Sequence, residues 1–226
     1  MKRIIISMPN FIGDSINTIP AIELIRQVFP QARITLLGPS FLKELFEYDP
    51  RIFYVIVSNK RKKNYFRNIF VILRNRYDLG ILFTNTFMTA LLLRLALVKR
   101  LVGYENEGRG FLLNFKRPLN RNVHYINRYA MLVNEWLGNK FTCLPTLKLY
   151  YKQECNFHFA NNNPVIGLYL GGTNKRFRRY PEEQAIVLLR MLRNYNLVFI
   201  GDSNDAVVQS SYVRQAMIDN VLDLSG

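Results

Sequence analysis

Cysteine and histidine are scarce in this 226-residue chain, which contains only Cys143, Cys155, His124 and His158. Two cysteines cannot build a disulfide framework, and no spacing of cysteine and histidine resembles a zinc site. Two histidines also exclude a histidine-rich metal centre. The sequence therefore predicts a reduced protein without a metal site of these kinds.

Long apolar runs are missing as well. A transmembrane helix needs roughly 18 apolar residues, and Arg94 interrupts the best candidate, residues 87–98. The start of the chain, Met1-Lys-Arg-Ile-Ile-Ile-Ser7, has too short an apolar stretch for a signal peptide. We therefore expect a soluble, cytoplasmic protein.

Acidic residues are few relative to basic ones. Lysine and arginine number 31 against 16 aspartates and glutamates, so the formal net charge is +15. Nearly all of this excess lies in residues 1–150, whereas residues 151–226 are close to neutral. Such a field favours an anionic partner, for example a nucleic acid, a phosphorylated glycan or a membrane surface.

Nucleic-acid binding is the weaker of these alternatives. The 13 tyrosines and 16 phenylalanines could stack on bases, but most lie within strand and helix patterns, where core packing is the commoner role. No recognised nucleic-acid-binding motif is present.

Short β-branched runs alternate with longer stretches of helical periodicity, a pattern that predicts parallel β-α-β units. The predicted strands are 3–8, 33–37, 52–57, 79–83, 165–170 and 197–200, and the predicted helices are 14–28, 41–48, 63–76, 87–98, 122–137, 182–193 and 206–218. Residues 146–150 are predicted to be extended. Pro20 is a weak point of the first helix because proline lacks the N–H group that a helix interior needs.

The alternation predicts two domains. The first spans residues 1–151, residues 152–163 form a linker, and the second domain begins at residue 164 and runs to residue 226. The second domain has only two or three predicted strands and no closing helix, which is little for a free-standing domain. We therefore expect the chain to be part of a longer protein.

The turn Pro9-Asn-Phe-Ile-Gly13-Asp14 follows the first predicted strand. Ligands of open parallel sheets bind outside the carboxyl ends of the strands, where this turn lies. Gly13 lets the backbone approach a ligand closely. Asp14 is either an N-cap of the following helix or a general base at the mouth of a cleft.

The segment Gly171-Gly-Thr-Asn-Lys-Arg-Phe-Arg-Arg179-Tyr-Pro181 follows the first strand of the second domain. Its backbone N–H groups, its hydroxyl and its cations could hold a diphosphate. It lacks the Walker pattern and a complete G-x-G-x-x-G pattern. A solvated basic loop before a helix is the alternative.

A run of cations, Lys60-Arg-Lys-Lys63 with Arg67, precedes and enters the fourth predicted helix. Such a run is usually a solvated face. If it binds a ligand, the ligand is a phosphate group or an anionic lipid head group.

Five short segments, in order, resemble motifs of the bacterial heptosyltransferases of glycosyltransferase family 9, above all the heptosyltransferase II type. They are Pro9-x-x-x-Gly13-Asp14, residues 84–91 (P-N-S-F-x-S-A-L in the family), residues 100–104 with 108–113, His124-x-x-x-Arg128-Tyr129, and residues 171–181 (P-G-A…K-R-W-P). Each segment alone is a weak match, but five in order are fairly specific, and together they extend over essentially the whole chain.

This resemblance implies an α/β fold of the GT-B type, with a Rossmann-like amino-terminal domain and an incomplete second Rossmann-like domain. It also implies transfer of heptose from ADP-L-glycero-D-manno-heptose to the inner core of lipopolysaccharide, with inversion and without a required metal ion or other cofactor. The implied partners are ADP-heptose, the phosphorylated inner-core acceptor and an anionic membrane surface at the inner face of the inner membrane.

The resemblance also assigns roles to residues. Asp14 matches the general base that deprotonates the acceptor hydroxyl. The expected donor-binding residues are Gly172, Thr173, Arg178 and Asp205, and the expected acceptor-binding residues are Gly13, Asn85, Arg109, Arg128, Lys60, Arg61, Lys62 and Lys63. The positive charge of Arg178 would offset the negative charge of the departing ADP.

The sequence departs from the family pattern in two places. Tyr180 stands where the family has tryptophan, and the D-[ST]-G-x-x-H motif of the nucleotide site does not occur. We therefore expect an enzyme whose chain lacks much of the adenosine pocket. Three alternatives stay open: a family 9 transferase that adds a different heptose, an inactive protein that binds anionic glycolipid, and a nucleic-acid-binding protein.

Overall fold

The computed structural model of the protein describes residues 3–58, 62–120, 122–152, 158–171 and 179–225. The chain divides into two units, Met1–Gln153 and Glu154–Gly226. The point of division falls within the predicted linker, residues 152–163.

The first unit is built on a six-stranded sheet in which every pair of neighbours is parallel. Its strands are β1 (Arg3–Ser7), β2 (Arg33–Gly38), β3 (Ile52–Val57), β4 (Leu79–Leu82), β5 (Arg100–Glu105) and β6 (Phe115–Pro118). Their order is β3-β2-β1-β4-β5-β6, the order of a doubly wound Rossmann sheet. The chain therefore reverses its direction of winding between β1 and β4.

Helices cover both faces of this sheet. They are α1 (Ile12–Ile16), α2 (Ile19–Val28), α3 (Leu42–Leu45), α4 (Lys62–Asn75), α5 (Phe87–Leu95) and α6 (Tyr125–Trp136), with a 3₁₀ turn at Arg109–Leu112. Ile4 and Ile6 of β1 pack with α2 and α6, whereas Ile5 packs with α4 and α5 on the other face. Because side chains alternate across a strand, one run of three isoleucines supplies both cores.

The second unit contains three parallel strands in the order β7-β8-β9. The strands are β7 (Val165–Leu168), β8 (Asn196–Phe199) and β9 (Val221–Asp223), and the helices are α7 (Glu182–Met191) and α8 (Ser203–Ala216). Leu189 of α7 and Tyr212 of α8 pack with Phe199 of β8. The predicted α/β class, with Rossmann-like units, is confirmed.

Among the described helices, none has both the length and the apolarity needed to cross a bilayer.

The prediction of one continuous helix over residues 14–28 is wrong. The structure breaks it into α1 and α2, with Pro20 in the first turn of α2. The break follows from proline chemistry, because Pro20 has no N–H group to offer the preceding turn. The Thr18 hydroxyl instead donates to the carbonyl of Ser15 at 2.7 Å.

Other elements differ in extent or were missed. The strand predicted over residues 52–57 is confirmed by β3, whereas the helix predicted over 41–48 shortens to α3. Residues 146–150, predicted to be extended, carry no regular element in the described chain. Strands β5 and β6 were not predicted from the sequence. These short strands are recognisable only once β4 provides an edge for them to pair with.

Candidate functional site

The first candidate site lies where the sheet changes its direction of winding. The carboxyl ends of β1 and β4 are neighbours there, and ligands of open α/β sheets bind outside this switch point. The turn after β1 leads into α1, which carries Asp14, and the loop after β4 carries Asn85. The hydroxyls of Ser7 and Thr84 join the two strand ends at 2.8 Å.

Asp14 lies in the first turn of α1 and is half-buried. Helix α1 begins at Ile12, with Phe11 at its N-cap position, so the interpretation of Asp14 as an N-cap is wrong. Within the described chain, no residue hydrogen-bonds or ion-pairs with its carboxylate. The turn itself is held by Ser15, whose hydroxyl donates to the carbonyl of Pro9 at 3.3 Å. The carboxylate is therefore available to a ligand.

Gly13 lies beside Asp14 in the same helical turn. Neither its backbone conformation nor its neighbours require a glycine at this position. A Cβ added to Gly13 would meet no atom within 4 Å, and its φ lies outside the left-handed region. At Gly38, by contrast, a Cβ would lie 2.6 Å from Cδ1 of Leu42. The space over Gly13 is open and can admit a ligand next to Asp14.

The loop after β4 is fixed by one buried guanidinium group. Arg109 is 0% exposed, and it donates to the carbonyls of Thr84 at 2.6 Å and Tyr104 at 2.8 Å. It also donates to the side-chain oxygen of Asn85 at 3.2 Å. Burial lowers the pKa of Arg109 to about 10, and the charge of Glu107 opposes this change. The group is therefore still protonated near neutral pH.

The loop after β5 adds two further contacts to the loop after β4. Glu107 accepts from the backbone N–H of Phe87 at 3.0 Å, at the start of α5. The side-chain amide of Asn106 donates to the carbonyl of Asn85 at 3.4 Å. Glu107 has a φ of +51°, which is costly for a residue with a side chain. Two loops remote in sequence thus form one unit around Asn85.

Tyr104 extends this network to α6. Its hydroxyl donates to the carbonyl of Arg128 at 2.6 Å. Burial, and to a lesser extent the charge of Glu135, raise the pKa of Tyr104 to about 12, so the hydroxyl stays a donor at neutral pH. Arg128 is buried as well, and it donates to the carbonyl of Val123 at 3.0 Å.

The second unit offers a separate edge at the carboxyl ends of its strands. Gly171 follows β7 with a φ of +93°, a conformation that favours glycine. Asp205 is 3% exposed and forms a capping box, in which its carboxylate accepts from the N–H of Asp202 at 3.1 Å. Asp202 in turn accepts from the N–H groups of Asn204 and Asp205. Together the two carboxylates accept hydrogen bonds from the backbone N–H groups at the start of α8.

No cluster of three or more metal-ligating side chains occurs among the residues that the structure describes.

Comparison with known proteins identifies the family. The sequence model of glycosyltransferase family 9 (heptosyltransferase) matches residues 67–221. The chain belongs to glycosyltransferase family 9. The relatives include lipooligosaccharide heptosyltransferase 2 of Haemophilus ducreyi, which is 22% identical over 231 residues, covering 91% of this chain and 65% of that protein. The chain therefore spans slightly less than two thirds of that relative's length.

Two solved heptosyltransferases share the fold. The structure of E. coli ADP-heptose lipopolysaccharide heptosyltransferase II matches with a TM-score of 0.81 at 22% identity, covering 100% of this chain and 73% of that one. E. coli heptosyltransferase WaaC with ADP-2-deoxy-2-fluoro heptose matches with a TM-score of 0.74 at 16% identity, covering 98% and 76%.

Of the site residues expected from the family 9 resemblance, the structure brings Asp14, Gly13 and Asn85 to the switch point. Arg109 is corrected, because it has no accessible surface for direct acceptor contact and its guanidinium is enclosed by the loop it holds. Asp205 lies in the first turn of α8, where its buried carboxylate caps the helix, and its expected contact with the donor stays a prediction.

Arg128 is also largely enclosed, so an acceptor would meet little of its side chain. The remaining expected residues lie outside the described ones: Gly172, Thr173, Arg178, Lys60, Arg61, and the side chains of Lys62 and Lys63.

Three residues of this candidate site were not predicted from the sequence: Ser7, Asn106 and Glu107. The signal available for the last two was the position of Asn106-Glu107-Gly108 directly after a short apolar run, which predicts a loop at a strand end once β5 is recognised.

Proposed function

We propose that this family 9 protein transfers heptose from ADP-L-glycero-D-manno-heptose to the inner core of lipopolysaccharide. Family membership and the fold support a glycosyltransferase, and the fold match with a heptosyltransferase solved with an ADP-heptose analogue supports the donor. The observation that carries the proposal is the Asp14 carboxylate, which lies at the switch point without a structural partner among the described residues.

In the proposed reaction, Asp14 removes the proton of the attacking acceptor hydroxyl. The oxygen bonds to the anomeric carbon of heptose from the face opposite the diphosphate. The bond from that carbon to the β-phosphate oxygen breaks, and ADP departs, so the anomeric configuration inverts. Thr173 and Arg178 are proposed to hold the diphosphate in place of a metal ion, with Gly172 offering backbone contact.

The proposed acceptor is phosphorylated and membrane-embedded. The positive charge of residues 1–150 supports such an acceptor, because an anionic glycolipid is attracted by a positive field. We propose that the protein binds peripherally at the inner face of the inner membrane.

Titration of ADP and ADP-heptose into the 226-residue chain tests the donor, after mass spectrometry has confirmed the chain's length. We expect saturable binding of both ligands, and then transfer to an inner-core acceptor. UDP-glucose serves as the control donor and should bind more weakly. If a folded chain binds neither ADP ligand, the proposed donor specificity is wrong for this chain.

Replacing Gly13 with alanine tests the open space beside Asp14. We expect the free energy of unfolding to stay the same or rise by up to about 1 kcal/mol, because alanine favours a helix more than glycine does. The acceptor KM should rise, because the methyl group occupies the ligand's space. Gly38→Ala is the opposite control and should lose stability. Unchanged acceptor kinetics in Gly13→Ala would show that no ligand approaches this turn.

Replacing Asn85 with aspartate tests how the loop after β4 meets the acceptor. A guanidinium only donates, so Arg109 fixes the Asn85 oxygen toward itself and turns the amide N–H groups away from it. Asn85→Asp keeps the contact to Arg109 as an ion pair but offers no donor.

For Asn85→Asp we expect unchanged or higher thermal stability together with an acceptor KM raised about tenfold, the worth of one good hydrogen bond. Arg109→Lys should instead lose stability, because lysine cannot reproduce the forked contacts. An acceptor KM that Asn85→Asp leaves unchanged would contradict a role for the amide N–H groups.

A further inference from the structure

Helix α4 presents aromatic side chains to solvent. Phe66 is 67% exposed and Phe70 is 70% exposed, and their spacing of four residues places them on one side of the helix. Arg67 and Arg74 are also exposed, and Leu73 is half-buried. We call these five residues the α4 face.

The opposite side of α4 already anchors the helix to the sheet. Ile72 is completely buried in the core that it shares with Ile5 of β1, and Ile69 and Val71 pack against the same core. Asn68 is buried on this side as well. The fold therefore does not use Phe66 and Phe70 for its core, although large apolar side chains on a solvent-facing stripe lower solubility.

The sequence that contains the α4 face is strongly basic. No acidic residue occurs from Lys60 to Arg76, and this stretch contains seven basic residues. At the end of α4, a cavity of about 550 Å³ has three apolar or aromatic and three cationic lining residues, namely Leu73, Tyr77, Leu97, Arg74, Arg76 and Lys99. Leu97 is largely exposed there. Apolar surface thus continues from the α4 face through Leu73 into a cavity lined in part by cations, of which Lys99 is ion-paired with Asp78.

We propose that the α4 face docks on a bilayer surface that contains anionic phospholipid. Phe66 and Phe70 enter the interface between head groups and acyl chains, Arg67 and Arg74 bind lipid phosphates, and the cavity receives one head group. This combination of aromatic residues and cations on one helix side is typical of interfacial helices. A symmetric contact between two copies would bring the same cations together, and like charges disfavour it.

The docking proposal rests on the proposed function, because it assumes that the acceptor is embedded in a membrane. Helix α4 begins five residues after the end of β3, so its amino end lies at the carboxyl edge of the sheet, which is also the edge that carries Asp14. The cavity lies at the other end of α4, so docking along the whole helix would lay this face of the unit, from the edge that carries Asp14 to the cavity, along the lipid surface from which the acceptor projects.

Vesicle cosedimentation tests the α4 face. The probes are phosphatidylcholine vesicles with and without phosphatidylglycerol, and the variants are Phe66→Ser/Phe70→Ser and Arg67→Gln/Arg74→Gln. Met191→Ser/Val207→Ser is the matched apolar control, because both residues are as exposed in the second unit. Arg193→Gln, also exposed, is the control for charge.

We expect wild-type binding to need phosphatidylglycerol and to weaken with salt. The phenylalanine pair should weaken partitioning about tenfold or more, and the arginine pair about fivefold for each residue. The controls should stay within about twofold of wild type. Circular dichroism checks that every variant folds.

The proposal is overturned if the Phe66→Ser/Phe70→Ser variant binds the vesicles as tightly as wild type. It is also overturned if wild-type binding does not depend on phosphatidylglycerol. A wild-type dimer that becomes a monomer in the phenylalanine variant would assign the face to contact between copies. Transfer to a water-soluble inner-core oligosaccharide separates the two proposals. If wild type fails this transfer, the proposed function fails while the vesicle result stands, and if only vesicle binding fails, the docking surface is wrong.

Discussion

Replacing Asp14 with asparagine should lower the rate of heptose transfer about 10²- to 10⁴-fold, the range that loss of a general base produces. Asparagine keeps the size and shape of the side chain but cannot take a proton from the acceptor hydroxyl. Affinity for ADP-heptose should change little, because Asp14 is proposed to act on the acceptor.

Steady-state transfer kinetics together with calorimetric titration of ADP-heptose measure both quantities. Glu44→Gln is the matched control, because Glu44 also lies in the first turn of a short helix of the same unit, and it should transfer at the wild-type rate. An Asp14→Asn enzyme with near-normal turnover would remove Asp14 from the chemistry. A variant that loses ADP-heptose affinity as well would place Asp14 at the donor.

The second large effect concerns a buried ion-pair network in the first unit. Asp49 and Arg51 are each 4% exposed, and the Asp49 carboxylate accepts from Nη2 and Nε of Arg51 at 2.6 and 2.8 Å. Arg51 also pairs with Glu23 of α2 at 3.0 Å and donates to the carbonyl of Lys148 at 3.0 Å. Its guanidinium lies 5.0 Å from the ring centre of Tyr150.

These contacts tie α2, the turn before β3 and the segment near residue 150 together. Burial alone would lower the pKa of Arg51, but hydrogen bonds and charges from Asp49 and Glu23 outweigh it, so the pKa is raised. The charged pair is therefore maintained in the folded protein although it is removed from water.

Asp49→Ala should lower the free energy of unfolding by about 3–5 kcal/mol, because it leaves the charge of Arg51 buried without its principal partner. Urea denaturation at neutral pH measures this change. The double variant Asp49→Leu/Arg51→Met should be less destabilised than either single variant, because it removes both charges together.

Lys99→Ala is the control for an exposed ion pair. Lys99 pairs with Asp78 at 2.8 Å, but its side chain is 69% exposed, so the loss should be under about 1 kcal/mol. If Asp49→Ala costs no more than Lys99→Ala, the buried network does not stabilise the fold as argued.

The expected site residues fall into two groups, those placed by the end of a strand and those whose side chains are buried by neighbouring segments. Asp14 and Asn85 lie beyond the carboxyl ends of β1 and β4, and this placement follows from recognising the two strands because ligand-facing loops of a parallel sheet lie at that edge. Their roles stay predictions. Arg109 and Asp205 also follow strands, β5 and β8, but both side chains are buried in the folded chain. A sequence motif gives the residue type and its place in the chain, but not whether the side chain points into the loop or out of it.

Local sequence patterns suffice to predict the α/β class, the alternation of strands and helices, and the positions of β1 to β4, α4 and α5, because hydrophobic periodicity, proline and glycine act over a few residues. The strand order, the switch point between β1 and β4, and the burial of Arg109 arise only when the chain folds. These features depend on pairing between distant segments, such as Ile4 beside Leu79, and no local pattern encodes which strand becomes a neighbour.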